Sequence, residues 1–140
     1  MVIQNNISLK NFNTFGIEAS AKYIVTIKNI DNIYELFSSD LKNIEKKVIL
    51  GDGSNILFTN YFDGIVISIK IKGMKIIDYD DDFVMIEVSA GENWHNFIKT
   101  CIKNKYYGLE NLALIPGTVG AAPVQNIGAY GMELKDCLQS

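Results

Sequence analysis

The stretch from residue 115 to residue 131 constrains this chain most. It reads Ile-Pro-Gly-Thr-Val-Gly-Ala-Ala-Pro-Val-Gln-Asn-Ile-Gly-Ala-Tyr-Gly and contains both prolines of the protein and no charge. A solvated loop carries more charge, and a buried strand tolerates less glycine, because glycine offers no side chain to pack. Glycine is favoured where φ is positive or where a ligand approaches the main chain closely. We therefore interpret the stretch as a wall that contacts a cofactor, with backbone N–H groups free to face an anion or a flat ring.

The contact residues predicted in this wall are small or carry amide and phenol groups, a mixture found in cofactor pockets. Its two prolines fix φ and should hold the preceding residues, Ile115 and Ala122, in extended conformations. A purely structural crossing segment is the alternative. The predicted contacts are Pro116, Gly117, Gly120, Ala121, Ala122, Gln125, Asn126, Gly128, Ala129, Tyr130 and Gly131.

A second glycine loop follows the apolar run 48–50 directly, at the position where open α/β sheets bind ligands. Successive N–H groups in such a tight turn can bind a pyrophosphate, provided that Asp52 points away from it. The loop is neither a Walker A motif nor a dinucleotide-binding fingerprint, since Ile56 stands where the third glycine belongs. An ordinary turn is the alternative. The predicted contacts here are Gly51, Gly53, Ser54 and Asn55.

Composition excludes several classes of protein. The 140 residues are 48% hydrophobic and 21% charged, which is typical of a soluble globular protein. The net charge of −3 gives no basic face for nucleic acid. No apolar run is long enough to span a membrane, and the first residues do not resemble a signal peptide, so we expect a cytoplasmic protein without membrane partners. Arginine, the usual bidentate ligand of carboxylates and phosphates, is absent.

Other reactive side chains have ordinary explanations. Cys101 and Cys137 are far apart in sequence and are expected to be two buried thiols in a reducing compartment. His95 is the only histidine, so no metal site is predicted, and it is expected to be a surface or half-buried helix residue. Glu110 could act as a general base, but a hydrogen bond that braces its loop is favoured. No catalytic residue is predicted.

The first half of the chain has the pattern of a small βαβ unit with a partly parallel sheet. Strands are predicted at 23–27, 48–50 and 64–68. A helix is predicted between the first two, capped by Asp31 and running to about Leu41. Its buried side is expected to include Ile33, Leu36 and Phe37.

A change of composition near residues 68–73 predicts a boundary between two domains, 1–70 and 71–140. Runs at 74–79 and 83–90 predict a hairpin that turns at Asp80–Asp82, with one face of the second strand buried. Asn93 is expected to cap an amphipathic helix that ends near Asn104. Residues 132–140 resemble the start of a further element.

Five segments together resemble the UDP-N-acetylenolpyruvoylglucosamine reductases, flavoenzymes of peptidoglycan precursor synthesis. Each is weak alone, but all five occur in order and cover nearly the whole chain. They are Asn13-Thr-Phe-Gly-Ile17, Ile49-Leu-Gly-Asp-Gly-Ser-Asn-Ile-Leu-Phe58, Ala90-Gly-Glu-Asn-Trp-His95, Gly108-Leu-Glu-Asn-Leu-Ala-Leu-Ile-Pro-Gly117 and Gln125-Asn-Ile-Gly-Ala-Tyr-Gly131.

The resemblance implies an α+β, FAD-binding fold of the vanillyl-alcohol-oxidase (PCMH) type, with FAD between two subdomains. The loop 51–55 would hold the pyrophosphate, and 116–131 would line the flavin and adenine. FAD carries the chemistry in such enzymes. NADPH reduces the flavin, whose N5 then delivers a hydride to the enolpyruvyl group of UDP-N-acetylglucosamine enolpyruvate, giving UDP-N-acetylmuramate. Tyr130 matches a family tyrosine near the active site.

The resemblance also implies that the family's catalytic serine, arginine and glutamate and its substrate domain follow the point where this chain ends. We therefore expect an FAD-binding N-terminal part that does not turn over alone. Two alternatives remain open at this stage: a binding module of the same fold that holds no flavin, and another flavin oxidoreductase acting on a different substrate.

Overall fold

The computed structural model describes residues 1–139, which divide into two units at Ile71 and Lys72. The elements of the first unit are β1 (Val2–Ser8), β2 (Ser20–Ile27), α1 (Ile30–Ser38), β3 (Lys47–Leu50) and β4 (Phe62–Ile69). Its four strands form one sheet in the order β1-β2-β4-β3. Strands β2 and β3 both run parallel to β4, and β1 is antiparallel to β2, so the predicted partly parallel βαβ arrangement is confirmed.

The predicted start and end of α1 are wrong. Asn29, whose backbone is extended, is the cap, and its side chain accepts a hydrogen bond from the N–H of Asn32 at 2.9 Å. Asp31 lies inside the first turn instead, where its carboxylate interacts favourably with the positive end of the helix dipole. The helix stops at Ser38 because Ser39 is extended, and a separate 3-10 turn, Asp40–Asn43, follows.

Two apolar cores cover the two faces of this sheet. Ile24, Leu50 and Val66 lie in the core on one face. Leu36 packs with Ile65 and Ile67 on the other face, beneath α1. The central strand β4 is therefore buried on both sides, as parallel strands usually are. Phe37 was expected in the core but is 57% exposed.

The second unit begins at Lys72, and its first two strands, β5 (Met74–Tyr79) and β6 (Val84–Val88), form a hairpin. The carboxylate of Asp80 accepts hydrogen bonds from the N–H groups of Asp82 and Phe83, which confirms the predicted turn. The predicted buried face of β6 is wrong: its apolar residues are only half-buried, and β5 is exposed throughout. Two strands alone enclose no interior. The elements of this unit are β5 (Met74–Tyr79), β6 (Val84–Val88), α2 (Trp94–Lys103), β7 (Gly128–Ala129) and β8 (Met132–Glu133).

Helix α2 organises the core of the second unit. Asn93 caps it as predicted, accepting from the N–H of Asn96 at 3.0 Å. The indole Nε1 of Trp94 donates to the buried carbonyl of Leu112 at 2.8 Å and ties the segment after the helix to its first turn. Ile98 and Leu112 are fully buried in this core. Within residues 1–139, no helix is long and apolar enough to cross a membrane.

Candidate functional site

The loop 51–55 leaves the carboxyl end of β3, and its geometry depends on a neighbouring segment of the same unit. Gly53 has a φ of +67°, and a Cβ there would lie 2.0 Å from the carbonyl oxygen of Phe12. The N–H of Thr14 donates to the carbonyl of Gly53 at 3.1 Å. Packing against this segment therefore explains glycine at position 53 without any ligand.

Asn13 fixes the segment on which Gly53 rests. Its side-chain N–H groups donate to the carbonyls of Leu9 at 2.8 Å and Ile17 at 3.1 Å, and its oxygen accepts from the N–H of Ile17 at 3.1 Å. Asn13 is 7% exposed, so these bonds replace those that water would provide. No structural role was predicted for Asn13, because its partners are apparent only in the folded chain.

The charge of Asp52 has a partner inside the first unit. Its carboxylate lies 3.2 Å from Nζ of Lys70, just beyond β4. The pair offsets the negative charge that would otherwise oppose a phosphate at this loop. Ser54 is half-buried and Asn55 is exposed. Together these features leave the loop compatible with an anion.

One buried hydroxyl lies beside the same end of the sheet. Ser68 of β4 is fully buried and pairs in register with Leu50, the residue before the glycine loop. Its Oγ is the buried side-chain polar atom without a hydrogen-bond partner among the described residues. An unpaired buried hydroxyl costs roughly 1–3 kcal/mol.

Residues 117–120 pair with the segment before α2, and this corrects the expectation of free N–H groups at positions 119 and 120. The N–H of Gly120 donates to the carbonyl of Ala90 at 2.9 Å, and that of Val119 donates to Glu92 at 2.9 Å. A Cβ at Gly120 would lie 2.5 Å from the Cβ of Ala90. The N–H groups of Val119 and Gly120 are therefore already used within the unit.

The extended conformation expected before Pro123 is also wrong. Ala122 is helical, with φ −57° and ψ −47°, because its N–H and that of Ala121 donate to the carbonyl of Thr118. Pro123 opens a 3-10 turn, Pro123–Gln125, where a missing N–H costs nothing.

The end of the wall is a hairpin in which Tyr130 and Gly131 join β7 to β8. Both have positive φ, +54° and +81°, which is the requirement of a type I′ turn. Tyr130 is 89% exposed, and a Cβ at Gly131 would meet nothing within 4 Å. The main chain at this tip is open to approach.

Asn126 holds the hairpin in shape. Its Nδ2 donates to a carboxylate oxygen of Glu133 at 3.0 Å, and its Oδ1 accepts from the N–H of Lys135 at 3.2 Å. Lys135 also forms a close ion pair with Glu133. The hydrogen bond from Lys135, followed by that from Asn126, holds the pKa of Glu133 below its usual value.

A cleft of about 550 Å³ in the second unit brings four of the predicted contact residues together. Uncharged main chain forms one part of its lining, and Glu133, Lys135 and Asp136 form the other. The carboxylates disfavour a phosphate here, so the lining fits a neutral, hydrogen-bonding group better than a charged one. The four predicted residues are Asn126, Gly128, Ala129 and Gly131.

The remaining candidates have structural partners. The carboxylate of Glu110 accepts from the N–H of Gly108 at 2.8 Å, as favoured above. His95 is half-buried, and its Nδ1 accepts from the N–H of Leu114 at 3.3 Å.

Cys101 is buried, which raises the pKa of its thiol to about 11. Among residues 1–139, no group of side chains is arranged to hold a metal ion.

Cys137 corrects the expectation of two buried thiols, because it is exposed. It follows the 3-10 turn Leu134–Asp136, of which only Leu134 points into the core. Partial desolvation, followed by the charge of Asp136, raises the pKa of the Cys137 thiol.

Comparison with known proteins decides the family. Residues 21–140 match the FAD binding domain family. The chain belongs to that family. Its sequence is 54% identical over 140 residues to the UDP-N-acetylenolpyruvoylglucosamine reductase of Flavobacterium johnsoniae. The match covers 100% of this chain and 41% of that protein. The enzyme of the same name from Amoebophilus asiaticus is 46% identical over 140 residues, again with 41% of its length covered. The resemblance drawn from the five segments is confirmed.

A solved structure supports the fold of this FAD binding domain. The crystal structure of UDP-N-acetylenolpyruvylglucosamine reductase from Thermus caldophilus matches with a TM-score of 0.74 at 23% identity. The match covers 97% of this chain and 46% of that one. The expected α+β, FAD-binding fold class is confirmed. The chain spans about two fifths of the length of the curated relatives it matches.

Proposed function

We propose that this FAD binding domain is part of a UDP-N-acetylenolpyruvoylglucosamine reductase. Such an enzyme would reduce UDP-N-acetylglucosamine enolpyruvate to UDP-N-acetylmuramate in the cytoplasm, with NADPH as reductant. The observation that carries the proposal is the 54% identity over 140 residues to a reductase of that name. We propose that the FAD-binding subdomains are residues 1–70 and 71–140, and the division of the chain into two units at Ile71 and Lys72 supports this proposal. The last residue of the second range, Ser140, lies outside the described residues.

The loop 51–55 is proposed to bind the pyrophosphate of FAD. It lies at the carboxyl end of a parallel strand, and Lys70 offsets the charge of Asp52 at 3.2 Å. Gly51 and the N–H groups of Ser54 and Asn55 are the proposed contacts of this loop. The position that a Cβ of Gly53 would occupy is already filled by the backbone of Phe12. Gly53 is therefore proposed to shape the turn and to contact FAD only through its main-chain atoms.

The hairpin 128–131 is proposed to contact a neutral part of FAD. Its main chain is open at Gly131, Tyr130 is exposed at the tip, and the adjoining cleft favours uncharged groups. When bound, FAD supplies the hydride chemistry, and these residues bind and orient it. Segment 119–122 is proposed to support the hairpin, since its N–H groups are used within the unit.

The experiment that tests this proposal is a titration of the purified chain with FAD, followed by flavin fluorescence. We expect saturable binding of one FAD per chain and no oxidation of NADPH in the presence of UDP-N-acetylglucosamine enolpyruvate. Tyr107→Ala, at an exposed tyrosine that is not among the proposed contacts, serves as a control for altered surfaces. Absence of saturable binding would overturn the FAD proposal. Turnover by residues 1–140 would overturn the expectation that the catalytic groups lie elsewhere.

A further inference from the structure

The buried hydroxyl of Ser68 has no use in the fold described so far. Ser68 is fully buried in β4, and its Oγ has no hydrogen-bond partner in the structure of residues 1–139. The two residues before it, Val66 and Ile67, are apolar and buried. Because nearly all buried polar groups in proteins are paired, an exception needs an explanation. Alanine would fill nearly the same space without an unpaired atom, so serine at this position indicates a use beyond packing.

The register of the sheet determines the direction in which Ser68 points. Ser68 pairs with Leu50 of β3 and follows Val66 of β4 by two residues. Paired residues of parallel strands, and residues two apart in one strand, point to the same face of a sheet. Leu50 and Val66 both lie in the core that also contains Leu9. The Ser68 hydroxyl therefore lies on this face, near the carboxyl end of β4.

The loop 51–55 turns toward the same face. It follows Leu50 directly, and a Cβ at Gly53 would lie 2.0 Å from the carbonyl oxygen of Phe12. The side chain of Phe12 packs against the core that contains Leu50. The loop and the Ser68 side chain are therefore on one side of the sheet, at the same end.

An ion pair ties the loop to this end of β4. Lys70 follows Ser68 by two residues, and its N–H extends the ladder by donating to the carbonyl of Ile27 at 2.8 Å. Its side chain therefore leaves the strand on the same side as that of Ser68. The Nζ of Lys70 lies 3.2 Å from the carboxylate of Asp52 in the loop. This contact supports the placement of the loop over the end of β4.

Peptide geometry explains why a donor is needed beneath the loop. In a trans peptide unit, the N–H and C=O groups point in opposite directions. If successive N–H groups of loop 51–55 point outward to a pyrophosphate, the carbonyls of the same peptide units turn inward, toward the sheet. A carbonyl on that side needs a buried donor. A serine hydroxyl provides an O–H that can rotate to meet it.

We propose that Ser68 is a positioning residue of the loop 51–55. With a pyrophosphate bound, its hydroxyl donates a hydrogen bond to a main-chain carbonyl of the loop. The hydroxyl acts through the loop and does not touch FAD, since Ser68 is fully buried. This inference rests on the proposed binding of the FAD pyrophosphate by the same loop.

Removal of the hydroxyl should have opposite effects on the chain with and without FAD. Without FAD, Ser68→Ala removes an unpaired buried group and should raise the urea concentration at the midpoint of unfolding. With FAD, the same change removes the donor to the loop and should raise the dissociation constant of FAD by about tenfold. A residue that only packs the core would not stabilise the free chain and weaken FAD binding together.

Urea unfolding of the free chain and a fluorescence titration with FAD measure the two effects. The matched control is Ser39→Ala in the same unit, because the Oγ of Ser39 already donates to the carbonyl of Leu36 at 2.7 Å. This control should lower the urea midpoint and leave the dissociation constant of FAD unchanged. Ser68→Cys keeps nearly the same volume with a weaker donor, so it should also raise the dissociation constant. The phosphorus NMR signals of bound FAD should shift in Ser68→Ala but not in Ser39→Ala.

The outcomes separate this inference from the proposed function. If the unaltered chain and Ser68→Ala bind FAD equally well, the role of Ser68 is overturned and FAD binding stands. If the unaltered chain does not bind FAD, the proposed function is overturned, and the role of Ser68 with it. A lower urea midpoint for Ser68→Ala in the free chain would also overturn the inference, since the hydroxyl would then have a partner without FAD.

Discussion

Replacing Gly53 by alanine separates the two reasons for which a chain needs glycine. Position 53 combines a φ of +67° with a Cβ that would lie 2.0 Å from the carbonyl oxygen of Phe12. Gly16 has nearly the same φ, +65°, but a Cβ there would meet nothing within 4 Å. Gly16→Ala is therefore a matched control that carries the conformational strain without the steric overlap.

The expected magnitudes follow from these contacts. The left-handed conformation costs an alanine about 1–2 kcal/mol, and both variants share this cost. At Gly53 the overlap with backbone also forces the turn away from Phe12 and breaks the hydrogen bond from Thr14, adding about 2–3 kcal/mol. We expect Gly53→Ala to lower the free energy of unfolding by about 3–5 kcal/mol and Gly16→Ala by about 1–2 kcal/mol.

Urea unfolding followed by far-UV circular dichroism measures both values. A larger loss of unfolding free energy for Gly53→Ala than for Gly16→Ala would show that packing against Phe12 requires glycine at position 53. Equal losses in the two variants would refute the reasoning, because contact with the Phe12 carbonyl would then contribute nothing. Glycine at position 53 would in that case need another explanation, such as close approach by a ligand.

Three further outcomes are expected. Ser68→Ala should raise the free energy of unfolding by up to about 1 kcal/mol in urea, because it removes an unpaired buried hydroxyl; a loss would mean that the hydroxyl has a partner. A thiol reagent at pH 8 should label one cysteine per folded chain, Cys137, and Cys137→Ser should abolish the labelling, since Cys101 is buried; rapid labelling of Cys101 would contradict its burial. The pKa of Glu133 is lowered on folding, so its stabilising contribution is present above its unfolded pKa and is lost as the pH falls through the folded value; Glu133→Gln should reduce the acid dependence of unfolding, and an unchanged profile would contradict this.

Elements with strong local patterns could be predicted from the sequence. The apolar spacing of α2 and its Asn93 cap lie within one short window, and both were confirmed. The turn at Asp80–Asp82 was predicted for the same reason, because its hydrogen bonds join neighbouring residues. The parallel pairing of β2 and β3 with β4 followed from the strand–helix–strand order.

Elements whose signal is weak or shared were missed. Strand β1 has nearly all its residues exposed, so its sequence shows no alternation, although it pairs along β2. Both Asn29 and Asp31 are good caps, and only the backbone conformation identifies Asn29. Phe37 is as apolar as Leu36, but a rotation of one residue places it on the flank of α1.

What the sequence determined by itself is the family, the order of the elements from β2 to α2 and the two glycine-rich segments. Tertiary structure decided what those glycines do. Gly53 meets Phe12, and Gly120 meets Ala90, in each case across at least thirty residues of sequence, so no local pattern records the contact. Gly131 has no such neighbour, and its main chain stays open. Composition can require a residue without a side chain, but only the folded chain shows whether protein or solvent occupies the space beside it.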